Sequence, residues 1–144
     1  MIRLILSLWL LLVCGLGVVD PGWAAGEPEK LKAGLLAAAE GLILIDRGQF
    51  AQSWDRAAAR LKERLPRAQW IQQLQSQRQP LGALSYRKLI FSRLTERLPE
   101  WPTGEYLILR YQSSFARREL TFENLTLQRE ADGVWRLADY QIKK

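Results

Sequence analysis

The sequence predicts an α+β fold, with about three N-terminal helices packed on a curved, four-stranded antiparallel sheet of cystatin-like, cone type. Three observations carry that expectation. Apolar residues recur at helical spacing from Leu31 to Leu74, and at a spacing of two beyond Gly82. Breakers (Pro80 and Gly82, then Pro99, Pro102 and Gly104, then Asp132-Gly133) punctuate the second half at strand-like intervals. The helical segments all precede the strands, so no βαβ alternation is present.

With 144 residues the chain has room for one domain and one sizeable core. Its start reads as a secretory leader. Met1-Ile2-Arg3 supplies a short positive segment, Leu4–Val13 an apolar run, and Gly22-Trp23-Ala24 small residues at the −3 and −1 positions of a cleavage site. Cleavage after Ala24 leaves a single domain over residues 25–144 and places the protein in the periplasm or outside the cell. The alternative is an uncleaved anchor, but Leu4–Val19 falls short of the roughly 20 apolar residues a spanning helix needs. Cys14 is preceded by Val13 and sits inside the apolar run, which disfavours a lipoprotein.

Gly26–Lys30 reads as a frayed linker. The first helix starts at Leu31, with Leu31, Leu35, Ala39, Leu42 and Ile43 as its apolar stripe and Leu36 beside it. Gly48 suits the left-handed position that ends a helix. A second helix is expected over Gln49–Leu65, with Phe50, Trp54, Ala57, Ala58, Leu61 and Leu65 on one side. Pro66 opens a third, contacting the core through Trp70 and Leu74 and ending near Gln79, before Pro80.

The first strand is expected over Ala83–Glu96, with Leu84, Tyr86 and Ile90 on one face. The second, Gly104–Phe115, alternates cleanly and is the expected central strand, with Leu107, Leu109 and Tyr111 turned toward the helices. The third covers Glu119–Glu130 and the fourth Val134–Lys143, joined by the tight turn at Asp132-Gly133. In the third, apolar residues begin on even positions (Leu120, Phe122) and move to odd ones (Leu125, Leu127). In the fourth they move from odd (Trp135, Leu137) to even (Tyr140, Ile142). Each phase change predicts a β-bulge, near Glu123-Asn124 and near Ala138-Asp139.

Several short motifs then fall in a recognisable order: Asp46-x-Gly48-x-Phe50-x-x-Ser53-Trp54, Trp70, Arg78-x-Pro80-Leu81-Gly82 with Arg87, Pro102-x-Gly104-Glu105-Tyr106, and Asp132-Gly133-x-Trp135-Arg136 through Lys143. This series resembles the bacterial family catalogued as domain of unknown function 4019, over nearly all of residues 25–144. The resemblance implies a secreted or periplasmic protein with no established activity. At fold level it is similar to cystatin-like and nuclear-transport-factor-like α+β cones.

Cone-shaped folds of this type can hold a pocket between helices and sheet. Trp54, Trp70, Tyr86, Tyr111, Trp135 and Tyr140 are the aromatics that would line it; the favoured reading is that, as large apolar groups, they simply fill the core. Arg78 and Arg87 flank the Pro80-Leu81-Gly82 turn, with Glu105 and Glu123 on the strands. They read either as an anion-binding arrangement or as a structural ion pair tying the sheet to the third helix. Asp55 with Glu105 or Glu123 could in principle form an acid–base carboxylate pair, but nothing in their spacing argues for one.

The chain has no His and one Cys, located in the leader, which removes the commonest general base, zinc ligands and thiol chemistry from residues 25–144. No phosphate loop or serine elbow is present, so neither a catalytic set nor a cofactor or metal site is expected. The net charge of +6 comes from Lys and Arg scattered along the second helix and the strands. Such scatter disfavours nucleic acid and fits a soluble basic surface or attraction to an anionic envelope. The functional expectation is a non-enzymatic domain binding a protein or envelope component. The alternative is a ligand-binding or enzymatic cone.

Overall fold

The structure, a computed structural model, describes residues Gly26–Lys143. The leader expected over Met1–Ala24 lies outside the described residues. Four helices precede four strands: α1 (Gly26–Asp46), α2 (Phe50–Asp55), α3 (Ala59–Arg64), α4 (Arg67–Arg78), β1 (Leu84–Thr95), β2 (Glu105–Phe115), β3 (Arg118–Arg129) and β4 (Trp135–Lys143). The strands form one open antiparallel sheet in the order β1-β2-β3-β4. One face carries the helices, with α1 lying over β3 and β4 and α2 against α4. The class is α+β, as expected. Among the described residues no helix is long and apolar enough to cross a membrane.

Gly26–Lys30 is helical, not frayed: α1 begins at Gly26, with Glu27 and Glu29 in its first turn, where their charges complement the helix dipole. It ends at Gly48, whose φ of 70° is the left-handed conformation that glycine adopts without steric cost. The buried stripe of α1 is rotated from the expected one. Gly34, Ala38, Leu42 and Ile45 are buried, while Leu36 and Ile43 are 59% and 46% exposed and Ala39 faces solvent. Small residues set this rotation. A Cβ on Gly34 would collide with Leu107 and sit 3.6 Å from Trp135, so the helix approaches the sheet there more closely than a side chain allows.

The expected second helix is broken. Every apolar residue of its stripe packs inward, but Ala58 leaves the helix in an extended conformation and donates its N–H to the Leu137 carbonyl at 2.9 Å. That bond satisfies part of the outer edge of β4. Glu130, at the end of β3, then caps α3 by accepting the Ala59 N–H at 2.7 Å. The third expected helix is observed as α4, followed by one 3₁₀ turn over Gln79–Leu81.

In the sheet, β2 is the regular strand. Leu107 and Leu109 are fully buried, and Tyr111 packs against the core formed with Leu42, Ile45, Trp70, Leu74, Leu125, Leu127 and Tyr140. The bulge expected in β4 is present: Thr126 pairs with Asp139 and Leu127 with Leu137, leaving Ala138 as the extra residue. The bulge expected near Glu123-Asn124 is not. Pairing with β2 runs without a shift from Glu105–Arg129 to Ser113–Thr121, and the inward positions are Thr121, Glu123, Leu125 and Leu127. Two polar residues occupy the inward phase, so Leu120 and Phe122 face the other way. Nor is the apolar face expected on β1 the buried one. Tyr86 and Ile90 are 51% and 44% exposed, because register shifts at Ser85 and Ile90 turn Arg87, Leu89 and Leu94 toward the helix side instead.

Candidate functional site

Three places carry chemistry: a buried polar network, a cleft at one end of the sheet, and the sheet face that no helix covers.

The network is centred on Glu123, which has no solvent exposure. Its position on β3 aims it between β1 and the helices. Arg87 clamps it from β1 with Nε at 2.7 Å and a terminal nitrogen at 2.9 Å. Tyr140 donates its phenol at 2.7 Å, and Ser113 donates its hydroxyl. Arg87 also reaches Asp46, at the end of α1, with contacts of 2.7 and 2.9 Å. Arg78 from α4 closes the ring, donating to Asp46 at 2.7 Å and to the Tyr140 oxygen at 3.2 Å, while stacking over Phe115 at 4.6 Å. Two arginines and two carboxylates alternate, so the cluster is charge-balanced and bidentate where it is most buried. Burial works against the Asp46 charge, yet the hydrogen bonds from Arg87 and Arg78 outweigh it and hold its carboxyl below its ordinary value. Burial, reinforced by the Glu123 charge, pushes the Tyr140 phenol well above its ordinary value.

Arg78 and Arg87 thus join helix to sheet, as the ion-pair reading requires. Five of the six guanidinium nitrogens that could grip an external anion are already spent on Asp46, Glu123 and Tyr140. Arg78 Nε is buried without a hydrogen-bond partner, beside a small pocket of about 170 Å³ lined by Asp46, Phe50 and Gln79.

The aromatics divide. Trp70 is core, its Nε1 donating to Ser53 at 2.9 Å. Trp54 is half-buried and donates to the Leu65 carbonyl at 2.8 Å, with Lys62 over its ring. Tyr111 packs beside the network, where burial raises its phenol. Tyr140 is core, and Tyr86 is outside it. Around Trp70, Tyr111 and Tyr140 the layer between helices and sheet is therefore filled. The carboxylates do not pair with one another either. Asp55 is held by Arg67 at 2.9 Å, Glu105 by Lys30 and by Arg129 at 2.7 Å, and Glu123 by Arg87. Hydrogen bonds from Lys30 and Arg129 keep the Glu105 carboxyl below its ordinary value. Among the described residues no group of three or more Cys, Asp or Glu converges as a metal site would need.

A cleft of about 520 Å³ opens where the first turn of α1 meets the β1–β2 loop. Trp135, Leu94 and Tyr106 form its apolar wall, and Glu27, Lys30, Glu105 and Arg97 stand at its rim. Of the candidate residues named from the sequence, Trp135 and Glu105 reach it.

The third place is the open face of the sheet. Directly paired residues share a face, which sorts the outward side chains into rows across the strands. Tyr86 lies opposite Ser114. Lys88, Gln112, Phe122 and Lys143 form the next row, then Phe91, Arg110, Asn124 and Gln141, then Arg93, Ile108, Thr126 and Asp139. Neighbouring strands are about 4.8 Å apart, so each aromatic has a cation within one strand spacing or one row. In these rows β1, β2 and β3 carry no acid, and Asp139 on β4 is held by Arg64 at 2.6 Å. One end of this face is closed by the β1–β2 loop: Trp101 packs edge-on against Tyr106 at 5.4 Å, and Arg60 lies 4.3 Å over the Trp101 ring. The sequence reading missed this face, because Tyr86 counts there among the core or pocket aromatics and Ile90 shares its side of the strand. The signal available was Lys88 and Arg93, which alternate with Tyr86 and Phe91 once the bulge at Ile90 is allowed for.

No curated protein and no solved structure matches the chain. The family model described as protein of unknown function (DUF4019) matches residues 37–140, from the middle of α1 to Tyr140, and the chain belongs to that family.

Proposed function

We propose that this protein is an exported, non-enzymatic binding domain that holds a protein or cell-envelope component on the open face of its sheet. One observation carries the reading. The ionisable groups inside the fold are spent on one another, whereas the open face presents Lys88, Arg93 and Arg110 among Tyr86, Phe91 and Phe122. Interleaved aromatic and basic groups with no nearby acid favour an anionic partner that also offers apolar contact. Export rests on the leader pattern of Met1–Ala24.

The test is crosslinking and capture from the native envelope, comparing the wild type with a K88E/R93E/R110E variant. The variant should lose the wild-type partners at unchanged thermal stability; unchanged capture would reject the open face as the binding surface. Intact mass of the exported product should show removal of the first 24 residues, and a full-length membrane-bound product would reject cleavage.

A second reading places a small ligand in the cleft beside Trp135, whose volume lies in the range of ligand sites. Leu94→Trp would fill the cleft. Capture that survives this variant supports the open face, and capture lost with it supports the cleft.

A further inference from the structure

The two edges of the sheet are unequal. The edge of β4 is met by the Ala58 N–H and by α3, and Asp139 near it is tied to Arg64. The edge of β1 is free: among the described residues no backbone hydrogen bond reaches it from outside the sheet. β1 is also one of the two longest strands, spanning Leu84–Thr95, and three large exposed apolar side chains, Tyr86, Ile90 and Phe91, lie on it. An unpaired edge of this kind is a template for another strand.

The charges on β1 say which strand fits. Arg87, Lys88 and Arg93 are its only ionisable side chains besides Tyr86, and all three are basic. Arg87 points inward and is consumed by Asp46 and Glu123, whereas Lys88 and Arg93 meet no carboxylate among the described residues. A second copy is a poor occupant. Antiparallel pairing centred on the Ile90–Phe91 peptide would set Lys88 opposite Arg93 twice, and parallel in-register pairing would set each cation opposite itself. Like charges directly opposite are destabilising in a sheet, and edge cations serve that purpose against self-association.

We infer that β1 accepts an extended, acidic segment of another protein as a fifth strand, an inference that rests on the open-face reading of function. Phe91–Thr95 pairs with β2 without a shift and supplies the regular stretch of the template, and the bulge at Ile90 separates it from Tyr86–Leu89. The added strand lays acidic side chains beside Lys88 and Arg93 on the open face, with Arg110 one strand further in. On the opposite face it covers Leu89 and Leu94, which are only half-buried against the core. The recognised chemistry is thus a segment alternating acidic and apolar residues, held by main-chain hydrogen bonds and sorted by charge.

The test uses three peptides of about ten residues: alternating Glu and Val, alternating Lys and Val, and Glu alone. Binding to the purified protein is followed by fluorescence anisotropy, and amide hydrogen exchange reports on β1. The Glu–Val peptide should bind, slow exchange of the edge-facing amides of Phe91–Thr95 by about tenfold or more, and lose about tenfold in affinity to a K88E/R93E variant. N-methylation of a central valine should abolish binding while leaving the peptide's charge unchanged, so the inference does not depend on how the protein variant folds. Equal binding by the Lys–Val peptide, equal binding by Glu alone without protection of β1, or a dimer through β1 would each overturn it. Absence of peptide binding, with envelope capture still lost in K88E/R93E/R110E, would reject strand addition and leave the open face standing as the binding surface.

Discussion

The two faces of this sheet are built from the same strands and obey opposite rules. On the helix-covered face, charge is present but fully reciprocated: Glu123, Asp46, Arg78 and Arg87 neutralise one another within hydrogen-bonding distance. On the open face Lys88, Arg93 and Arg110 have no carboxylate partner among the described residues, and Tyr86 and Phe91 stand half-exposed beside them. A buried ion cluster costs desolvation and is held by its geometry; an exposed cation costs little and remains available. The inner face is therefore closed on itself, and the outer face is where binding chemistry is left over. Adjacent residues make the point: Glu123 points in and is inaccessible, whereas Phe122 points out.

That pair gives the largest expected effect. Glu123→Ala leaves Arg87 and Arg78 short of a partner in a closed site and strands the Tyr140 and Ser113 hydroxyls. Removing one member of a buried pair costs about 3–5 kcal/mol, which should appear as a large fall in the urea midpoint. Phe122→Ala, one residue away, should cost about 1 kcal/mol or less, because its ring is already partly in water. Comparable losses at the two positions would break the distinction between the faces.

Next in size is the close approach of α1. Gly34→Ala improves helix propensity by about 1 kcal/mol but drives a methyl into Leu107, which is fully buried beside Trp135. Overpacking of this kind costs about 1–3 kcal/mol, so the net result should be a loss of about 1 kcal/mol, read from the thermal midpoint with its sign as the test. A gain in stability would mean that the helix is not seated where Gly34 places it.

The paired carboxylates and the buried phenol also set the pH profile. Asp46 and Glu105 have folded-state pKa values below their ordinary 3.8 and 4.5, so their contribution is present above those values and is lost as pH falls through them. Tyr140 has the opposite sign. Its phenol is raised in the fold, so stability is intact below the ordinary value of 10.0 and declines as pH rises past it, with a slope approaching about 1.4 kcal/mol per pH unit. Tyr140→Phe should flatten the alkaline limb and leave the acid limb in place. An unchanged alkaline slope would remove Tyr140 from the network's account of stability.

Much of the architecture could be read from local signals: β2 alternates cleanly, Gly48 ends α1, Asp132-Gly133 makes its turn, and the phase change at Ala138 is a bulge. Most of the departures have one physical cause, which is that hydrophobicity alone does not mark the inside. Glu123 and Thr121 are buried because Arg87, Tyr140 and backbone groups satisfy them, and this displaced Leu120 and Phe122 outward. Gly34 and Ala38 are buried because they are small. The break at Ala58 depends on a hydrogen bond to Leu137, far away in the chain, which no local pattern encodes. Of the site candidates, Arg78 and Arg87 are identifiable from their places around a Pro-Leu-Gly turn, whereas Asp46 stands out only as the first residue of a family motif.

The smallest expected effect on stability is also the sharpest test of the comparison. Lys88, Arg93 and Arg110 make no ion pair among the described residues, and Arg110 only donates to the Asn124 side chain at 2.8 Å. Reversing all three should leave the unfolding midpoint without a measurable shift at moderate salt, since exposed charges at this spacing interact weakly and are screened over about 10 Å. On the inner face, loss of Glu123 alone unbalances the network. If triple reversal destabilised the fold as strongly as Glu123→Ala, the open face would be part of what holds the sheet together. Binding and stability could then not be assigned to separate faces. If stability holds and capture is lost, these cations are present for a partner, because the fold itself does not need them.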